Sequence, residues 1–442
     1  MKYFIDTFGC QMNVRDSGEM ADALREAGYE PAEAPGEADL ILVNTCTVRQ
    51  KAAHKGVSAV GRYVALKKEN PKLVVGACGC YAQEAGERLL QEVRGVDIVA
   101  GPDAKGQIAS LVEERRGTKK PVVATELHGS GGGASRDSPA PTSRRRTPAG
   151  PTALVTIMQG CDNYCSFCVV PYVRGPEVSR PPDEIVAEVR DLAAMGVREV
   201  TLLGQNVNSY GAGTGADFAA LLDLVCAVSG IARVRFTTSH PKDLTERLAE
   251  RFATLPALMP QIHLPVQSGS DTVLARMNRK HTRGDYLDKV TMLRRHRPGI
   301  AVTTDIIVGF PGETAGDFAA TISLVREVVF DGAFSFKYSP RPGTAASRLD
   351  DDVPPDEKSR RLSVLQEILD RMAFERSRAL VGAAVPVLVE GPARDPGTVF
   401  GRTPCNRVVN FVGNGHDIGA ILEVDVNEAL AHSLLGMPSP PR

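Results

Sequence analysis

The first part of the chain alternates short apolar runs with stretches of helical period. Residues 3–8, 40–43 and 73–77 are apolar and of strand length, and the spacing predicts helices over 16–27, 52–66 and 84–93. Strands alternating with helices predict an α/β unit with a parallel sheet over residues 1–127. Residues 128–150 hold almost nothing apolar and many Gly, Ser, Pro and Arg residues, which predicts a flexible linker. Its Arg144-Arg145-Arg146 run could touch phosphate, but a solvated linker is the plainer reading. Beyond it the alternation resumes on a larger scale, with strands predicted at 153–158, 199–203, 233–237, 261–266, 302–308 and 333–338. Six strands with intervening helices predict a partial (β/α)6 barrel over 151–378.

The helix signals in this region are local and strong. Pro182-Asp183-Glu184 opens one helix, Ile185, Val186, Val189, Leu192 and Ala193 share a face, and Gly196 ends it. A second helix is predicted over 217–228. A charged helical stretch over 355–380 leads to short strands at 385–389, 399–402, 407–412 and 421–426, separated by Gly-Pro, Pro-Gly and Asn-Gly turns. Residues 379–442 are therefore expected to form a small antiparallel β-barrel.

Composition narrows the class. With 442 residues, and roughly 150 residues per domain, about three domains are expected. Lys plus Arg number 52 against 53 Asp plus Glu, so the net charge of -1 predicts no strong long-range attraction to nucleic acid or to an anionic membrane. Any RNA contact must be local. Met1 to Asp6 lacks the apolar run of an export signal, and no stretch reaches the 18 or so consecutive apolar residues needed to span a bilayer. Nine cysteines in a long chain without such a signal point to metal or catalytic roles in the reducing cytoplasm.

Cys161-x-x-x-Cys165-x-x-Cys168 is the strongest local signal. Three closely spaced thiolates can hold three irons of a [4Fe–4S] cluster and leave the fourth open to a ligand. Structural zinc needs four ligands, and no histidine or cysteine lies between Cys168 and Cys226. The triplet also follows the first predicted barrel strand, where such folds place reacting groups. Cys10, Cys46 and Cys80 each follow one of the first three predicted strands, and the ends of parallel strands share one edge. These three could therefore converge, although each alone also reads as a small buried hydrophobe. Cys78 could replace Cys80 on geometry alone. Cys226 and Cys405 read as structural. His240 and His263 lie at or near strand ends and could face the site, but neither is assigned a proton-transfer role.

The triplet, with the aromatic Phe167 before its last cysteine, resembles the radical S-adenosylmethionine superfamily. That resemblance implies a cluster whose open iron binds the methionine moiety of S-adenosylmethionine and a 5′-deoxyadenosyl radical formed by reductive cleavage. It also implies a cofactor pocket at Gly204, Gln205 and Asn206, and at Gly309 and Glu313 in the run Ile306 to Glu313. The motifs Thr7-Phe8-Gly9-Cys10-Gln11-Met12-Asn13, Asn44-Thr45-Cys46-Thr47-Val48-Arg49 and Gly79-Cys80-Tyr81-Ala82-Gln83 resemble the methylthiotransferase family. Val170-Pro171-Tyr172-Val173-Arg174-Gly175 and Gly204-Gln205-Asn206-Val207-Asn208-Ser209-Tyr210 extend that likeness. It implies an auxiliary [4Fe–4S] cluster on Cys10, Cys46 and Cys80, which selects Cys80 over Cys78, and so two clusters in all.

Gln11-Met12-Asn13 favours the branch that adds a methylthio group to C2 of N6-isopentenyladenosine, beside the anticodon at position 37 of tRNA. The alternatives are threonylcarbamoyladenosine in tRNA or an aspartate of a ribosomal protein as substrate. From a different class, a non-catalytic iron–sulfur protein that binds RNA or stores clusters is a further alternative. The implied partners are a tRNA anticodon stem-loop, an electron donor such as flavodoxin or ferredoxin, and a sulfur source, with no membrane. The run Gly401 to Phe411 resembles a TRAM domain, with Arg402 and Arg407 as candidate RNA contacts. Yet residues 379–442 hold four basic and six acidic residues, so that assignment rests on resemblance rather than charge. Pro176, in a stretch that is usually charged, and the long linker depart from the family pattern.

Overall fold

The computed structural model describes residues 1–48, 50–128, 148, 150–211 and 213–440. The predicted linker over 128–150, with its arginine run, lies almost wholly outside them, as does Arg49. Two compact units emerge. The first comprises the described residues of Met1–Arg146 with Met158–Tyr164 and Cys168–Arg180, and the second those of Thr147–Ile157, Cys165–Phe167 and Pro181–Arg442.

In the first unit, strands β1 (Lys2–Thr7), β2 (Glu30–Pro31), β3 (Leu40–Thr45), β4 (Val74–Gly79), β5 (Ile98–Ala100) and β6 (Val122–Ala124) form one sheet in the order β2-β1-β3-β4-β5-β6. Every pairing is parallel. Side chains alternate across β3: Leu40 and Leu42 enter one apolar cluster with Met20, Leu24 and Val112, while Ile41 and Val43 enter another with Val60 and Leu89. Both faces are thus covered, by helices α1 (Gln11–Glu26), α2 (Gln50–Ala65), α3 (Cys80–Ala85), α4 (Arg88–Glu92) and α5 (Ile108–Thr118). Two boundaries differ from expectation. Helix α1 starts five residues before the Asp16 expected from apolar spacing, because extended Cys10 turns the chain directly into it. The helix expected over 84–93 is two, because Gly86 at φ +53 interrupts it.

The chain then enters the second unit at β7 (Thr152–Thr156) and returns to the first with β8 (Met158–Gln159), α6 (Val170–Arg174) and β9 (Val178–Ser179). Strands β8 and β9 pair antiparallel. Polar contacts tie this ribbon down: Lys105 Nζ and Asp103 Oδ1 bond the Gln159 amide, and His128 bridges Asp103 and the Pro176 carbonyl at 2.8 and 3.1 Å.

The second unit continues with α7 (Pro182–Ala194), β10 (Glu199–Leu203), α8 (Phe218–Cys226), β11 (Arg233–Phe236), α9 (Glu246–Thr254), β12 (Gln261–His263), α10 (Asp271–Arg276), α11 (Arg283–His296), β13 (Ala301–Val308), α12 (Ala315–Val328) and β14 (Gly332–Lys337). Six parallel strands, β7, β10, β11, β12, β13 and β14, follow one another as an open arc. Val234 hydrogen-bonds Ala257 and Met259 ahead of β12, which carries the arc across its middle. The Asp217 carboxylate caps α8 through the Ala220 N–H at 2.8 Å. Among the described residues, no helix is long and apolar enough to cross a membrane.

Helix α13 (Pro355–Arg378) leads to a closed five-stranded barrel of β15 (Ala384–Pro392), β16 (Thr398–Arg402), β17 (Val408–Val412), β18 (Ile421–Ala429) and β19 (Leu434–Pro438). The expected barrel is present, but its closing pair, β17 with β19, is parallel. Strand β19, with Gly436 and Pro438 inside it, was not anticipated from the sequence. Two buried arginines of β11 fasten this barrel to the arc. Arg235 pairs with Glu199 at 2.9 Å and donates to the Thr403 and Pro404 carbonyls, both at 2.8 Å, while Arg233 donates to the Arg402 and Pro386 carbonyls. Arg235→Ala leaves a buried carboxylate and two carbonyls short of partners, so it is expected to cost about 3–5 kcal/mol. The fall in the urea midpoint measures this, and Arg235→Lys should recover only part of it, since an ammonium cannot reproduce the planar fork.

Candidate metal centres and cofactor pocket

Strands β1, β3 and β4 lie side by side and run the same way, so their carboxyl ends share one edge. Cys46 and Cys80 follow β3 and β4 directly, and Cys10 lies just beyond β1. Tight backbone brings the loops together. Gly9, at φ +123, comes so close to Cys46 that a Cβ there would stand 2.7 Å from Cys46 Cβ and 3.1 Å from its Sγ. The Asn13 amide ties the same loops by donating to the Phe8 and Thr45 carbonyls at 2.8 and 3.0 Å. Burial pushes the Cys80 thiol up to about 11 against the opposing pull of Arg174, and the charges of Cys10 and Cys46 are felt there too. The three sulfurs therefore share one neighbourhood.

Cys78 belongs elsewhere. It packs in the apolar cluster with Leu42 and Ile98, where burial raises its thiol to about 12. Gly79, at φ +88, diverts the chain between the two cysteines and sends Cys80 into the first turn of α3.

A buried charge network adjoins the trio. Arg174 donates from Nε to Cys80 Sγ at 3.3 Å, and from Nη2 to Asp16 at 2.7 Å and Asn13 Oδ1 at 3.3 Å. Lys105 pairs with Asp16 and Glu19 at 3.1 and 3.2 Å, and Arg15 with Glu19 at 3.2 Å. Burial alone would raise the Asp16 carboxyl, but Arg174 and Lys105 outweigh it and hold the group below the usual carboxylate range. Of this group, Arg174 is the cation that touches a thiol, Cys80 Sγ. Among the described residues, no three His, Cys, Asp or Glu side chains have the close spacing that holds a single metal ion. A cubane cluster spreads its thiolates more widely than one ion does, and three thiols with a buried guanidinium on one of the sulfurs suit such an anionic group.

The triplet lies between β8 and α6. Gly160, at φ +82, packs so tightly that a Cβ would meet the Pro176 carbonyl at 1.8 Å, and the Cys161 N–H donates to the Gly175 carbonyl at 3.2 Å. Asn163 Nδ2 donates to Cys161 Sγ at 3.4 Å. Within the second unit, Arg279 Nη1 donates to Cys165 Sγ at 3.4 Å, and Phe167 packs against Val273, Met277, Phe310, Tyr338 and Ala346. Each half of the six-cysteine set thus has an arginine N–H on one sulfur. No spacing rule singles out Arg174, Arg279 or Asp16, because each reaches its sulfur or partner through tertiary packing, whereas Asn163 reaches Cys161 from two residues away.

Gly204, Gln205 and Asn206 follow β10, and Gly309 and Glu313 follow β13, at the carboxyl ends of the arc strands. The Asn206 side chain donates to Asp243 at 2.7 Å and accepts from the His240 N–H at 3.1 Å. Glu313 accepts from the Gly309 N–H at 2.9 Å and pairs with Arg361 at 2.6 Å. The Glu313 side chain therefore braces its own loop, and that of Asn206 ties the loop after β10 to the one after β11. His240 Nδ1 accepts from the Lys242 N–H, and burial, with Arg279 nearby, lowers its pKa to about 2, so the ring is neutral. His263 is held by Thr303 at 3.0 Å and by Asp305 at 3.4 Å. In the tail, Arg407 pairs with Asp331 at 2.7 Å and Arg402 with Glu390 at 3.3 Å.

Comparison with known proteins places this geometry. Residues 155–325 match the radical SAM superfamily, residues 2–101 the uncharacterized protein family UPF0004, and residues 378–438 the TRAM domain. Among curated relatives, the tRNA-2-methylthio-N(6)-dimethylallyladenosine synthase of Bordetella bronchiseptica is 47% identical over 98% of this chain and 92% of its own. Its counterpart in Ralstonia nicotianae is 48% identical over 98% and 97%. Among solved structures, the radical S-adenosylmethionine methyltransferase TsrM from Kitasatospora setae, with cobalamin and a [4Fe-4S] cluster bound, matches with a TM-score of 0.59. It is 15% identical and covers 90% of this chain and 77% of its own, a likeness of fold.

The tight turn at Gly79 makes a direct prediction. A Cβ there would stand 2.2 Å from Asn44 Oδ1 and 2.6 Å from the Thr45 carbonyl. Gly79→Ala is expected to lose about 1–3 kcal/mol to backbone strain alone, and more to the clash, read as a lower thermal midpoint of the iron-free protein.

Proposed function

Since the chain belongs to the family of tRNA-2-methylthio-N6-dimethylallyladenosine synthases within the radical SAM superfamily, we propose that it adds a methylthio group to C2 of N6-isopentenyladenosine at position 37 of tRNA. The observation that carries sulfur insertion is the meeting of Cys10, Cys46 and Cys80 at one sheet edge, in a chain that also holds the Cys161, Cys165 and Cys168 triplet. In this reading the triplet holds one [4Fe–4S] cluster with an open iron and the trio holds a second. When bound, the clusters and S-adenosylmethionine supply the radical and the sulfur that no side chain can provide for an unactivated C2–H.

The chain's own residues bind and orient. Gly204, Gln205, Asn206, Gly309 and Glu313 shape the cofactor pocket from the ends of β10 and β13. Asn206 and Glu313 spend their side chains on bracing, which holds those loops in shape for the cofactor. The neutral, buried His240 is not a proton carrier at physiological pH. In the TRAM barrel, Arg402 is the readier phosphate contact, since it is more exposed than Arg407, whose pair with Asp331 is mostly buried. The anticodon stem-loop, an electron donor of the flavodoxin or ferredoxin kind and a sulfur source complete the reading, in the cytoplasm.

Two measurements test it. Anaerobically reconstituted protein should carry roughly eight irons, falling to about four in the Cys161/Cys165/Cys168→Ala variant and likewise in Cys10/Cys46/Cys80→Ala. Four irons falling to none in the first variant would remove the auxiliary cluster. Incubated with S-adenosylmethionine, a reductant and tRNA bearing isopentenyladenosine, the enzyme should yield the 2-methylthio nucleoside by mass spectrometry. The Cys10/Cys46/Cys80→Ala variant should still cleave the cofactor without making that product. Product only on threonylcarbamoyladenosine or on a ribosomal protein would overturn the substrate assignment.

A further inference from the structure

The way helix α10 ends fixes where Arg279 lies. Asn278 takes the left-handed conformation at φ +54, so its N–H closes on the Ala275 carbonyl at 3.0 Å and the Arg279 N–H on the Leu274 carbonyl at 2.9 Å. Such a paired closure satisfies carbonyls that a helix end leaves open, and it favours Gly or Asn at the left-handed position. Two more carbonyls at this end go to the segment around Cys165. The Ser166 N–H donates to Met277 at 2.9 Å and the Ser166 hydroxyl to Arg276 at 2.8 Å. Phe167 packs with Val273 and Met277 of the same region.

From this anchorage Arg279 donates from Nη1 to Cys165 Sγ at 3.4 Å and from Nη2 to the Pro265 carbonyl at 2.7 Å. Its charge has no counter-ion: among the described residues no carboxylate bonds the guanidinium, and Nε is buried without an acceptor. The neighbouring rings feel that charge. After burial, Arg279 is the largest influence lowering His240 and His281, to about 2 and about 4, so both stay neutral. A partly buried guanidinium gains most from an ionised acceptor, and among the described residues the one ionisable acceptor it touches is the Cys165 sulfur.

We propose that Arg279 is a positioning residue for the cluster of the triplet: Nη1 bonds the Cys165 thiolate and holds that ligand against the end of α10, and the uncompensated charge raises the cluster's reduction potential. The inference rests on the reading of Cys161, Cys165 and Cys168 as cluster ligands and adds a residue to it. The sign follows from charge. One electron takes the cluster from its 2+ to its 1+ state, so the reduced form is the more negative and gains more from a neighbouring cation. The hydrogen bond to the sulfur acts in the same direction.

The test uses the full chain with Cys10/Cys46/Cys80→Ala, reconstituted anaerobically without S-adenosylmethionine so that bound iron reports the triplet alone. Arg279 is intact or replaced in Arg279→Gln and Arg279→Lys. Iron content is read on each, with the midpoint potential from a titanium(III) citrate titration followed by electron paramagnetic resonance. With about four irons retained, Arg279→Gln is expected to make reduction at least tenfold less favourable, a shift of about 59 mV to more negative potential for one electron. Arg279→Lys keeps the charge but not the fork that bonds Cys165 and Pro265 together, so its midpoint should fall between the two. Lys280→Gln removes the adjacent exposed charge and should leave the midpoint where it was. An unchanged midpoint in Arg279→Gln, or an equal shift in Lys280→Gln, overturns the proposal while leaving the triplet's cluster in place. Should Arg279→Gln hold no iron, the lysine variant decides: a midpoint equal to that with Arg279 overturns the proposal. Should neither hold iron, the thermal midpoint of the iron-free protein decides: an unchanged value supports a role at the cluster, and a lowered one marks a merely structural role and overturns the proposal. Absence of iron with Arg279 intact would instead defeat the reading of the triplet as a cluster site.

Discussion

Parallel pairing of three neighbouring strands is the constraint on which the first unit depends. Because β1, β3 and β4 run the same way, the loops that follow them must leave from one edge, and residues far apart in sequence arrive together. An antiparallel order would have sent alternate cysteines to opposite edges. The sheet can hold this arrangement because both faces are buried. The alternating Leu40, Ile41, Leu42 and Val43 side chains supply two apolar clusters, each fully buried hydrophobe contributing about 1.5–3 kcal/mol. The rigid scaffold is apolar, and Cys10, Cys46 and Cys80 lie where the chain turns at its end.

Those turns are fixed by backbone as much as by side chains. Gly9 and Gly79 adopt positive φ where a Cβ would collide with Cys46 or Asn44, and the Asn13 amide joins the Phe8 and Thr45 carbonyls. Charge follows geometry. Burying Asp16 and Glu19 is tolerable because Arg15, Lys105 and Arg174 accompany them.

The second unit solves a different problem. An open arc of six strands leaves loops at the carboxyl ends of β10 and β13 that must hold their shape without a closed barrel. Glu313 does this by bonding within its own loop and to Arg361, and Asn206 by bonding across to His240 and Asp243. The five-stranded barrel is attached through Arg233 and Arg235, whose guanidinium groups satisfy carbonyls of β15, of β16 and of the turn after β16. Arginine suits this role because its fork donates to several fixed acceptors at once.

Local signals in the sequence determined a good deal. Apolar runs and helical spacing located the six arc strands and the sheet strands β1, β3 and β4, Pro182-Asp183-Glu184 marked the start of α7, and the spacing and polar frame of Cys161, Cys165 and Cys168 pointed to cluster chemistry. Each of these depends on residues within a turn or two of one another. Tertiary structure decided the rest. Strands of three residues, such as β5 and β6, carry too few positions to show a period, and β19 is a strand only because β17 and β18 offer it edges. The separation of Cys78 from Cys80 turns on the positive φ of Gly79, which ends the strand alternation that would have pointed both the same way. Arg174 reaches Cys80 across 94 positions of sequence. No local pattern encodes such a contact, because its energy comes from which faces the folded chain brings together.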